Sequence, residues 1–335
     1  MPSSRIALDA MGGDQAPDAI LGGALQACSA TGGTRIAPER LLLVGDEPRI
    51  RDFLGEHGGD PGFAIRHARQ VIGMGESPTA ALRAKRDASV VSCVGAVRAG
   101  EAGAVVSMGN TGACVGAATL GLGTLPGVRR PGIAVTLELT GHPVTILDMG
   151  ANVAPKPDHL VQYGAMGALY MRDCLGVREP RVGLLNVGEE KGKGTDLLKQ
   201  AFSGLEQSGL NFVGNVESGD LFRAVCDVVV TDGFTGNVVL KLMENFAAFL
   251  LGLVLQEIDQ HGGGDWGWKT LAKVRRSIDY STYGGALLLG VDGVTVIGHG
   301  RSDPTAVAHA IALAVRAIDA NVNEHIVQGL ASGSA

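Results

Sequence analysis

The sequence predicts an α/β protein in which a doubly wound, mainly parallel sheet lies between helices, giving three layers. Three observations support this prediction. Short runs rich in Val, Leu and Ile alternate with amphipathic stretches along the chain, as buried parallel strands alternate with crossover helices. The 335 residues suffice for a large core, which must be aliphatic because aromatic residues make up only 4%. The 51 glycines are spread along the whole chain, which suits many tight turns.

The apolar runs and their spacing place most elements. Candidate strands are residues 5–9, 41–44, 104–107, 181–186, 211–216 and 227–231. Candidate helices between them are residues 17–29, 79–99, 158–174 and 195–208. Residues 132–148 break the alternation, because two β-rich halves flank a Thr-Gly-His turn, and we expect an antiparallel hairpin there.

A second irregularity lies toward the carboxyl end of the chain. A long helix is expected at residues 236–260, followed by the stretch HGGGDWGW and a basic helix at residues 269–276. We interpret residues 236–280 as a helical hairpin that protrudes from the sheet. No internal repeat or low-complexity linker marks a boundary, so we expect residues 1–335 to form one large α/β domain.

Charge and cysteine content exclude several classes of protein. With 28 basic and 34 acidic residues the net charge is −6, so no overall basic field attracts nucleic acid. The five cysteines form no CxxC pair, as expected of a reduced, cytoplasmic protein. The amino terminus lacks the apolar run of a signal peptide, and no stretch approaches the ~20 apolar residues of a membrane-spanning helix. We therefore expect a soluble or at most surface-bound protein.

Five loops at the predicted strand ends combine glycine with Ser, Thr, Asn or Lys. They are residues 11–17, 107–113, 148–152, 186–194 and 232–237. Ligands of open α/β sheets bind beyond the carboxyl ends of the strands, where glycine allows close backbone approach and helix N-termini offer N–H donors. A tight turn alone explains any single loop of this kind. Five on the same edge predict a site for a small anion, most naturally phosphate.

The candidate phosphate contacts come from two of these loops and from one histidine. They are Gly12, Gly13, Ser107, Asn110, Thr111 and His299. The glycines would offer backbone N–H groups, and the hydroxyl and amide side chains would add neutral donors. His299 follows an apolar strand and is the best candidate for a functional imidazole, although a structural histidine explains it equally well. Lys191 and Lys193 add positive charge in a third loop.

Common nucleotide, nucleophile and metal motifs do not fit the sequence. The stretch GEEKGKGT resembles a phosphate-binding P-loop but is one residue too short, and Gly follows Lys193 where Ser or Thr is required. The glycine pairs at 73/75 and 121/123 lack the third glycine of a dinucleotide fingerprint. Neither a G-x-S-x-G elbow nor a metal-ligand spacing of histidines is found. We expect no ATP, NAD, metal or other cofactor, and no covalent enzyme intermediate.

The loops, in their order along the chain, resemble the bacterial phosphate acyltransferase family PlsX. The matching stretches are LDAMGGDQAP, SMGNTGA, ILDMGAN, LLNVGEEKGKG, VVTDGFTGNVVLK and GGALLLGVDG with the trailing HGRSD. The resemblance extends over nearly the whole chain, from Ile6 to about Ala320, and Leu287 departs from the pattern because a proline is expected there. The resemblance implies a fold related to phosphate acetyltransferase and to the isocitrate/isopropylmalate dehydrogenases, in a homodimer.

The resemblance also implies a reaction. A long-chain acyl group would move from acyl carrier protein to inorganic phosphate, and a membrane glycerol-3-phosphate acyltransferase would use the acyl phosphate in phospholipid synthesis. The family motifs KG and DGFxGN carry the expected catalytic residues. Lys193 would neutralise phosphate or the developing oxyanion, and Asn237 would donate a hydrogen bond to the same centre. A solvated loop lysine and an ordinary helix N-cap are the structural alternatives.

Three other functions are left open by the sequence. One is a NAD-dependent dehydrogenase of the related fold, which would need a dinucleotide site. Another is a protein that senses phosphate or acyl groups without catalysis. The third is acetyl transfer from coenzyme A, which differs only in the thioester carrier.

Two surfaces are also left open. The most apolar run, residues 246–255, together with Trp266 and Trp268, fits either a tip at the inner face of the membrane or a helix buried in the core or a dimer interface. Acyl carrier protein is strongly acidic, so it requires a local basic patch. Arg83, Lys85 and Arg86 form one candidate patch, and Lys269, Lys273, Arg275 and Arg276 form another. Solvated helix faces explain both patches equally well.

Overall fold

A computed structural model describes residues 4–29, 35–139, 141–261, 264, 268 and 285–332. The chain forms two compact units. The first unit consists of Met1–Ile133 and Tyr283–Ala335, and the second unit of Ala134–Thr282. Each unit has its own strands and its own cluster of strand-end loops.

Strands and helices alternate along the described residues, which confirms the predicted α/β class. The strands are β1 (Ile6–Asp9), β2 (Leu41–Gly45), β3 (Ala64–His67), β4 (Ala104–Ser107), β5 (Gly132–Leu139), β6 (His142–Leu147), β7 (Val182–Leu185), β8 (Phe212–Val216), β9 (Val228–Val230), β10 (Ala286–Leu289) and β11 (Val294–Ile297). The helices are α1 (Asp18–Ser29), α2 (Glu47–Glu56), α3 (Pro78–Ala84), α4 (Ser89–Arg98), α5 (Thr111–Leu122), α6 (Pro157–Leu175), α7 (Asp196–Glu206), α8 (Gly233–His261), α9 (Pro304–Asp319) and α10 (Val322–Ser332).

The strands of the first unit lie in the order β3-β2-β1-β4-β11-β10. They are parallel except for β10, which runs antiparallel to β11. β1 lies between β2 and β4, with Ile6 opposite Leu41 on one side and Ala104 on the other. All four residues of β1 are buried, which explains its continuous apolar run. The loops after β1, β4 and β11 leave the same edge, because neighbouring parallel strands end there.

The strands of the second unit lie in the order β5-β6-β9-β7-β8. β5 and β6 are antiparallel, with Val135 opposite Ile146, so the predicted hairpin is confirmed. β6, β9, β7 and β8 are parallel to one another. The loops after β6, β9 and β7 therefore leave one edge of this unit.

The prediction of a single helix at residues 79–99 is wrong, because a break interrupts the helix between α3 and α4. In the break the Gln70 N–H donates to the Asp87 carbonyl at 3.2 Å, and the Gln70 carbonyl accepts from the Ser89 N–H at 3.0 Å. Residues 85–88 leave the helix to make this pairing. The contact joins segments distant in the chain, so no local pattern encodes it.

The predicted helical hairpin at residues 236–280 has α8 as its first arm, and its second arm lies outside the described residues. Over 18 residues of Gly233–Gln260 the mean hydropathy is 2.0, so this helix is long and apolar enough to cross a membrane by length and composition alone. The expectation that no stretch approaches that length is therefore wrong, because the helix continues through Lys241 and Glu244. None of its apolar window is buried. The single large domain and the complete hairpin stay predictions.

Close packing of α1 against α9 generates a testable prediction at Gly23. A Cβ there would lie 2.5 Å from Val307 Cβ and 2.7 Å from the Pro304 carbonyl oxygen. Gly23→Ala should lower the free energy of unfolding by about 1–3 kcal/mol through overpacking, measured by urea unfolding. Gly55→Ala in α2 is the matched control, because no atom lies within 4 Å of its Cβ position. The control should gain up to about 1 kcal/mol, and equal effects of the two changes would contradict the packing.

Candidate active site

Three loops of the first unit meet at the carboxyl ends of β1, β4 and β11. The Asp14 N–H donates to the Gly300 carbonyl at 2.7 Å. Gly13 has a φ of +114°, and a Cβ there would lie 3.2 Å from the carbonyl oxygens of both Gly300 and Met108. Only glycine fits this conformation and this space. Gly13 therefore joins the loop after β1 to the loops after β4 and β11.

Asp9 lies beneath these loops and is 2% exposed. Its Oδ1 accepts from the Met11 N–H at 3.2 Å, and its Oδ2 accepts from the Ser107 hydroxyl at 2.7 Å. Burial raises the pKa of Asp9, and hydrogen bonds from the Ser89 and Ser107 hydroxyls and from backbone amides oppose that rise. The carboxyl group anchors the loop that follows β1.

Ser107 faces the interior rather than solvent and is 1% exposed. Besides donating to Asp9, its Oγ accepts from the Gly109 N–H at 3.1 Å. A Cβ at Gly12 would lie 2.6 Å from Asp9 Oδ2 and 2.9 Å from both Ser107 Oγ and Gly109 N. The structure thus brings Gly12 and Ser107 together, and it uses the serine hydroxyl to hold two loops in contact.

Asn110 and Thr111 form the start of α5. Asn110 Oδ1 accepts from the Ala113 N–H at 3.1 Å, which makes Asn110 the N-cap. Its Nδ2 donates to the Met74 and Glu76 carbonyls, each at 3.0 Å. Both ends of this amide therefore bind protein. Thr111 is exposed at the first helical position, where backbone N–H groups have no partner within the helix.

His299 is half-buried in the loop after β11. Its Nδ1 accepts from the Arg301 N–H at 3.2 Å, so Nε2 carries the ring proton of the neutral imidazole in this arrangement. Its carbonyl accepts from the Ser302 N–H at 2.9 Å. His299 thus belongs to the same cluster as Gly13, and Nε2–H is the ring atom that can donate to a ligand.

The second unit has a similar arrangement after β6. Asp148 is fully buried, and its Oδ1 accepts from the N–H groups of Gly150 at 3.0 Å and Ala151 at 2.9 Å. Its Oδ2 accepts from the Asn152 N–H at 2.7 Å. A Cβ at Gly236 would overlap the Asp148 carbonyl oxygen, so only glycine allows α8 to start against this loop.

Asn237 lies in the second turn of α8 and is exposed. A Cβ built on Gly150 would be 3.6 Å from Asn237 Cβ, which places this side chain beside the Asp148 loop. Asp232 caps the helix instead, because its Oδ1 accepts from the Thr235 N–H at 2.9 Å and its Oδ2 from the Thr235 hydroxyl at 2.7 Å. The N-cap alternative for Asn237 is therefore wrong.

The two lysines of the loop after β7 differ in their partners. Lys191 Nζ lies 2.6 Å from Glu206 Oε2 and 5.3 Å from the centre of the Phe202 ring. Lys193 Nζ lies 3.9 Å from Glu190 Oε2, and both of these side chains are more than half exposed. An exposed pair at that distance contributes little. The geometry therefore favours Lys193 over Lys191 as the lysine that binds an anion.

The candidate residues fall into two clusters, one on each unit. Lys193 and Asn237 leave the same edge of the second unit, since β7 and β9 are parallel neighbours. The candidate phosphate contacts lie in the first unit. Sequence reasoning missed three buried polar residues, Asp9, Asn186 and Asn215. The signal that points to them is a polar residue within or at the end of an apolar strand pattern.

Of the two predicted basic patches, the structure describes one. Lys85 Nζ donates to the Val71 carbonyl at 2.7 Å and pairs with Glu76, while Arg83 and Arg86 are exposed. The basic patch at residues 269–276 lies outside the described residues. Among the residues that the structure describes, no group of three or more His, Cys, Asp or Glu could hold a metal ion.

The first unit also has an open groove of about 670 Å³. Asp14 and Asp18 line it, with Phe53, His57 and Pro304. Its two carboxylates would repel phosphate, so this groove is not the predicted anion site.

Comparison with known proteins decides the family. A family model described as fatty acid synthesis protein matches residues 4–325. A protein of Shouchella clausii named phosphate acyltransferase is 42% identical over 335 residues, which covers 98% of this chain and 99% of the relative. Another of that name, from Thermosynechococcus vestitus, is 43% identical over 333 residues and covers 97% of this chain and 95% of the relative. The chain belongs to the phosphate acyltransferase family.

Solved structures share the fold of this phosphate acyltransferase family member at low identity. A phosphotransacetylase from Streptococcus pyogenes has a TM-score of 0.63 at 15% identity, with 94% of each chain covered. A 4-hydroxythreonine-4-phosphate dehydrogenase from Klebsiella pneumoniae has a TM-score of 0.52 at 13% identity, covering 92% of this chain and 98% of the other. These likenesses concern the fold alone, and they confirm the predicted dehydrogenase-like α/β fold.

The buried cysteines of this family member generate a testable prediction. Desolvation raises the pKa of Cys28 to about 11 and those of Cys114 and Cys226 to about 12. The thiolate is the reactive form, so near neutral pH only roughly one thiol in 10,000 or fewer is ionised at these sites. Iodoacetamide should therefore leave them unlabelled in the native protein, as mass spectrometry would show. Labelling should rise as the pH approaches the raised pKa values, since the thiolate fraction then grows.

The control for this labelling is the same protein unfolded in urea, where all three thiols should react. Rapid labelling of Cys114 in the native protein at neutral pH would contradict the effect of burial on its pKa.

Proposed function

We propose that this chain transfers a long-chain fatty acyl group from acyl carrier protein to inorganic phosphate, without a covalent enzyme intermediate. The observation that carries the proposal is Lys193, a weakly paired ammonium in a glycine-rich loop of a phosphate acyltransferase family member. A phosphate dianion is a ligand that such an ammonium binds. The name of the relatives suggests the acyl group and its acceptor, while acyl carrier protein as the donor is part of our proposal.

The proposed chemistry depends on positioning more than on acid–base catalysis. A phosphate oxygen attacks the thioester carbonyl carbon, the new C–O bond forms, and the C–S bond breaks with its electron pair leaving on sulfur. A thiol of pKa about 8.5 leaves without acid assistance, and the thiolate takes a proton from water. The enzyme therefore has to orient the two reactants and supply donors for the tetrahedral oxyanion.

Lys193 and Asn237 are the proposed catalytic residues. Lys193 Nζ neutralises the phosphate or the developing oxyanion. The Asn237 side-chain amide donates a hydrogen bond to the same centre. Support for Asn237 comes from its exposure and its place beside Gly150, since a side chain used in helix capping would not be free for substrate.

The proposed phosphate contacts are a separate set of residues. The donors are the backbone N–H groups of Gly13 and Thr111, the Thr111 hydroxyl and the His299 Nε2–H, while Gly12, whose N–H hydrogen-bonds Asp9, lets the loop backbone approach the anion closely. Ser107 and Asn110 act by holding these loops, since the Ser107 hydroxyl donates to Asp9 and the Asn110 amide binds the carbonyls of Met74 and Glu76. The N-terminus of α5 adds the positive end of its dipole.

One observation favours the alternative function, a NAD-dependent dehydrogenase. That observation is the fold shared with 4-hydroxythreonine-4-phosphate dehydrogenase, and at 13% identity it concerns the fold alone. The phosphate acyltransferase relatives are similar in sequence over almost the whole chain, so we do not propose the dehydrogenase.

The proposed reaction is tested by offering an acyl carrier protein thioester to the purified protein with and without phosphate. Release of the free thiol and hydroxylamine-trapped acyl phosphate should appear together, in equal amounts, and only with phosphate. Equal thiol release without phosphate would contradict the proposal, since water would then be the acceptor. Acetyl coenzyme A as a second donor separates acetyl transfer, and binding without turnover would indicate a sensing protein.

Lys193 and Lys191 provide a matched pair of variants. Lys193→Gln should lower kcat/KM by about 100-fold or more, as loss of one stabilising donor does at other acyl-transfer sites. Lys191→Gln removes the same charge from the same loop, but this lysine is held by Glu206, so the loss should be less than about threefold. Steady-state kinetics on folded variants measures both. Equal losses, or full activity of Lys193→Gln, would contradict the assignment.

We also propose that α8 pairs with a second copy of the chain in a homodimer. Large apolar side chains recur along the helix every three or four residues and are 45–67% exposed: Phe234, Val238, Leu242, Phe246, Phe249 and Leu253. A stripe of this kind is normally covered by another element. We propose contact with the inner face of the membrane as a second role of α8. There a glycerol-3-phosphate acyltransferase would take the acyl phosphate from this cytoplasmic protein.

Variants of α8 test the homodimer. Phe246→Glu should convert a dimer into a monomer, because burying an unpaired carboxylate in an apolar interface is strongly unfavourable. Light scattering after gel filtration measures the mass. Ala248→Glu, at an exposed position on the opposite side of the same helix from Phe246, is the control and should stay dimeric. A monomeric wild type that floats with liposomes, and a Phe246→Glu variant that does not, would assign the stripe to the membrane instead.

A further inference from the structure

Two buried asparagine side chains lie behind the loop that carries Lys193. Asn186 directly follows β7, and Asn215 belongs to the neighbouring strand β8. They are 9% and 6% exposed, and Asn186 Nδ2 donates to Asn215 Oδ1 at 3.1 Å. Buried amides lower stability unless their polar atoms are hydrogen-bonded. Their remaining partners therefore show what the pair holds in place.

Those partners are backbone carbonyls of the lysine loop. Asn186 Nδ2 donates to the Lys193 carbonyl at 3.2 Å. Asn215 Nδ2 donates to the Glu190 carbonyl at 3.0 Å and to the Glu189 carbonyl at 3.5 Å. The two amides thus bind the loop at three carbonyls, those of residues 189, 190 and 193.

The loop backbone is shaped to receive these amides. Asn186 Oδ1 accepts from the Val187 N–H at 2.8 Å, and the Lys193 N–H donates to the Glu190 carbonyl at 3.0 Å. Gly194 has a φ of +84°, and a Cβ there would lie 2.5 Å from Asn186 Oδ1. Only glycine lets the chain close over the Asn186 amide.

We propose that Asn186 and Asn215 are positioning residues, which fix the backbone of Lys193 and so place its ammonium for phosphate. This inference rests on the proposed function, because it assigns a role in the same reaction. The Lys193 ammonium lies 3.9 Å from Glu190 Oε2 and both side chains are more than half exposed, so its backbone is what the fold holds firmly. An error of about 1 Å in the place of a catalytic group can cost roughly 100-fold in rate.

A purely structural role is the competing explanation. In that case the amides would only satisfy the carbonyls of a turn, and their loss would lower stability without any link to Lys193. The two explanations differ in how Asn215 and Lys193 variants combine.

Asn215→Asp tests the proposal with little change of shape. The carboxylate has no N–H to donate, so the bonds to the carbonyls of residues 189 and 190 are lost. We expect kcat to fall by about 10–100-fold, while KM for the acyl carrier protein thioester changes by less than about threefold. Asn323→Asp is the matched control, because its amide donates to the Val291 carbonyl at 3.0 Å in the first unit, and it should keep wild-type kcat. Asn215→Ser repeats the test with a neutral side chain if the aspartate variant does not fold.

Combination with Lys193→Ala separates positioning from structure. If Asn215 acts through Lys193, Asn215→Asp should lower the residual rate of Lys193→Ala by less than about twofold. A further tenfold loss in that background would overturn the proposal.

Trypsin supplies a readout that does not depend on activity, because it cuts after Lys191 and Lys193. Native Asn215→Asp should be cut there several-fold faster than wild type, with cutting elsewhere unchanged. Unchanged cutting would overturn the proposal. If Lys193→Ala keeps full turnover, the proposed role of Lys193 fails, and the trypsin result still shows whether the asparagines hold the loop.

Discussion

A buried carboxylate that needs hydrogen-bond donors shapes the loop cluster in each unit. Asp9 ends β1 and Asp148 follows β6, and each accepts hydrogen bonds from backbone N–H groups that lie shortly after it in the chain, at Met11 and at residues 150–152. A buried carboxylate without such partners is strongly destabilising, so the chain must turn back over it. Glycine occurs where the turn requires a positive φ, at Gly13 and Gly150. The similar stretches LDAMGG and LDMGAN thus encode the same anchor twice.

These anchors also limit how an anion can be held. A carboxylate close to phosphate opposes its binding, because like charges repel. The backbone amides beside Asp9 and Asp148 are partly used by the carboxylates. The attraction for a dianion therefore has to come from other groups, namely the helix N-termini and Lys193, whose ammonium lies 3.9 Å from Glu190 Oε2.

The parts of the structure that local patterns determine could be predicted from the sequence. β1, β4 and the hairpin of β5 and β6 are apolar runs, and the loops that follow parallel strands could be placed on one edge. The apolar runs do not predict β3, because this strand is half-exposed and ends in Arg66 and His67. The sequence predicts that Ser107 and Asn110 contact phosphate. In the structure their side chains form hydrogen bonds that join loops distant in the chain. Lys191 and Lys193 look alike until Glu206, 15 residues away, is seen to bind one of them.

Asn237, a proposed catalytic residue, lies on the same helix of the second unit as the exposed apolar side chains of α8. At about 1.5 Å per residue, the 29 residues of α8 form a rod of about 43 Å, with Asn237 near one end and Phe246 and Leu253 farther along it. A hydrogen-bonded helix resists twisting, so its turns rotate together. The distal turns and the Asn237 amide therefore belong to one stiff element, whose start is held against the Asp148 loop.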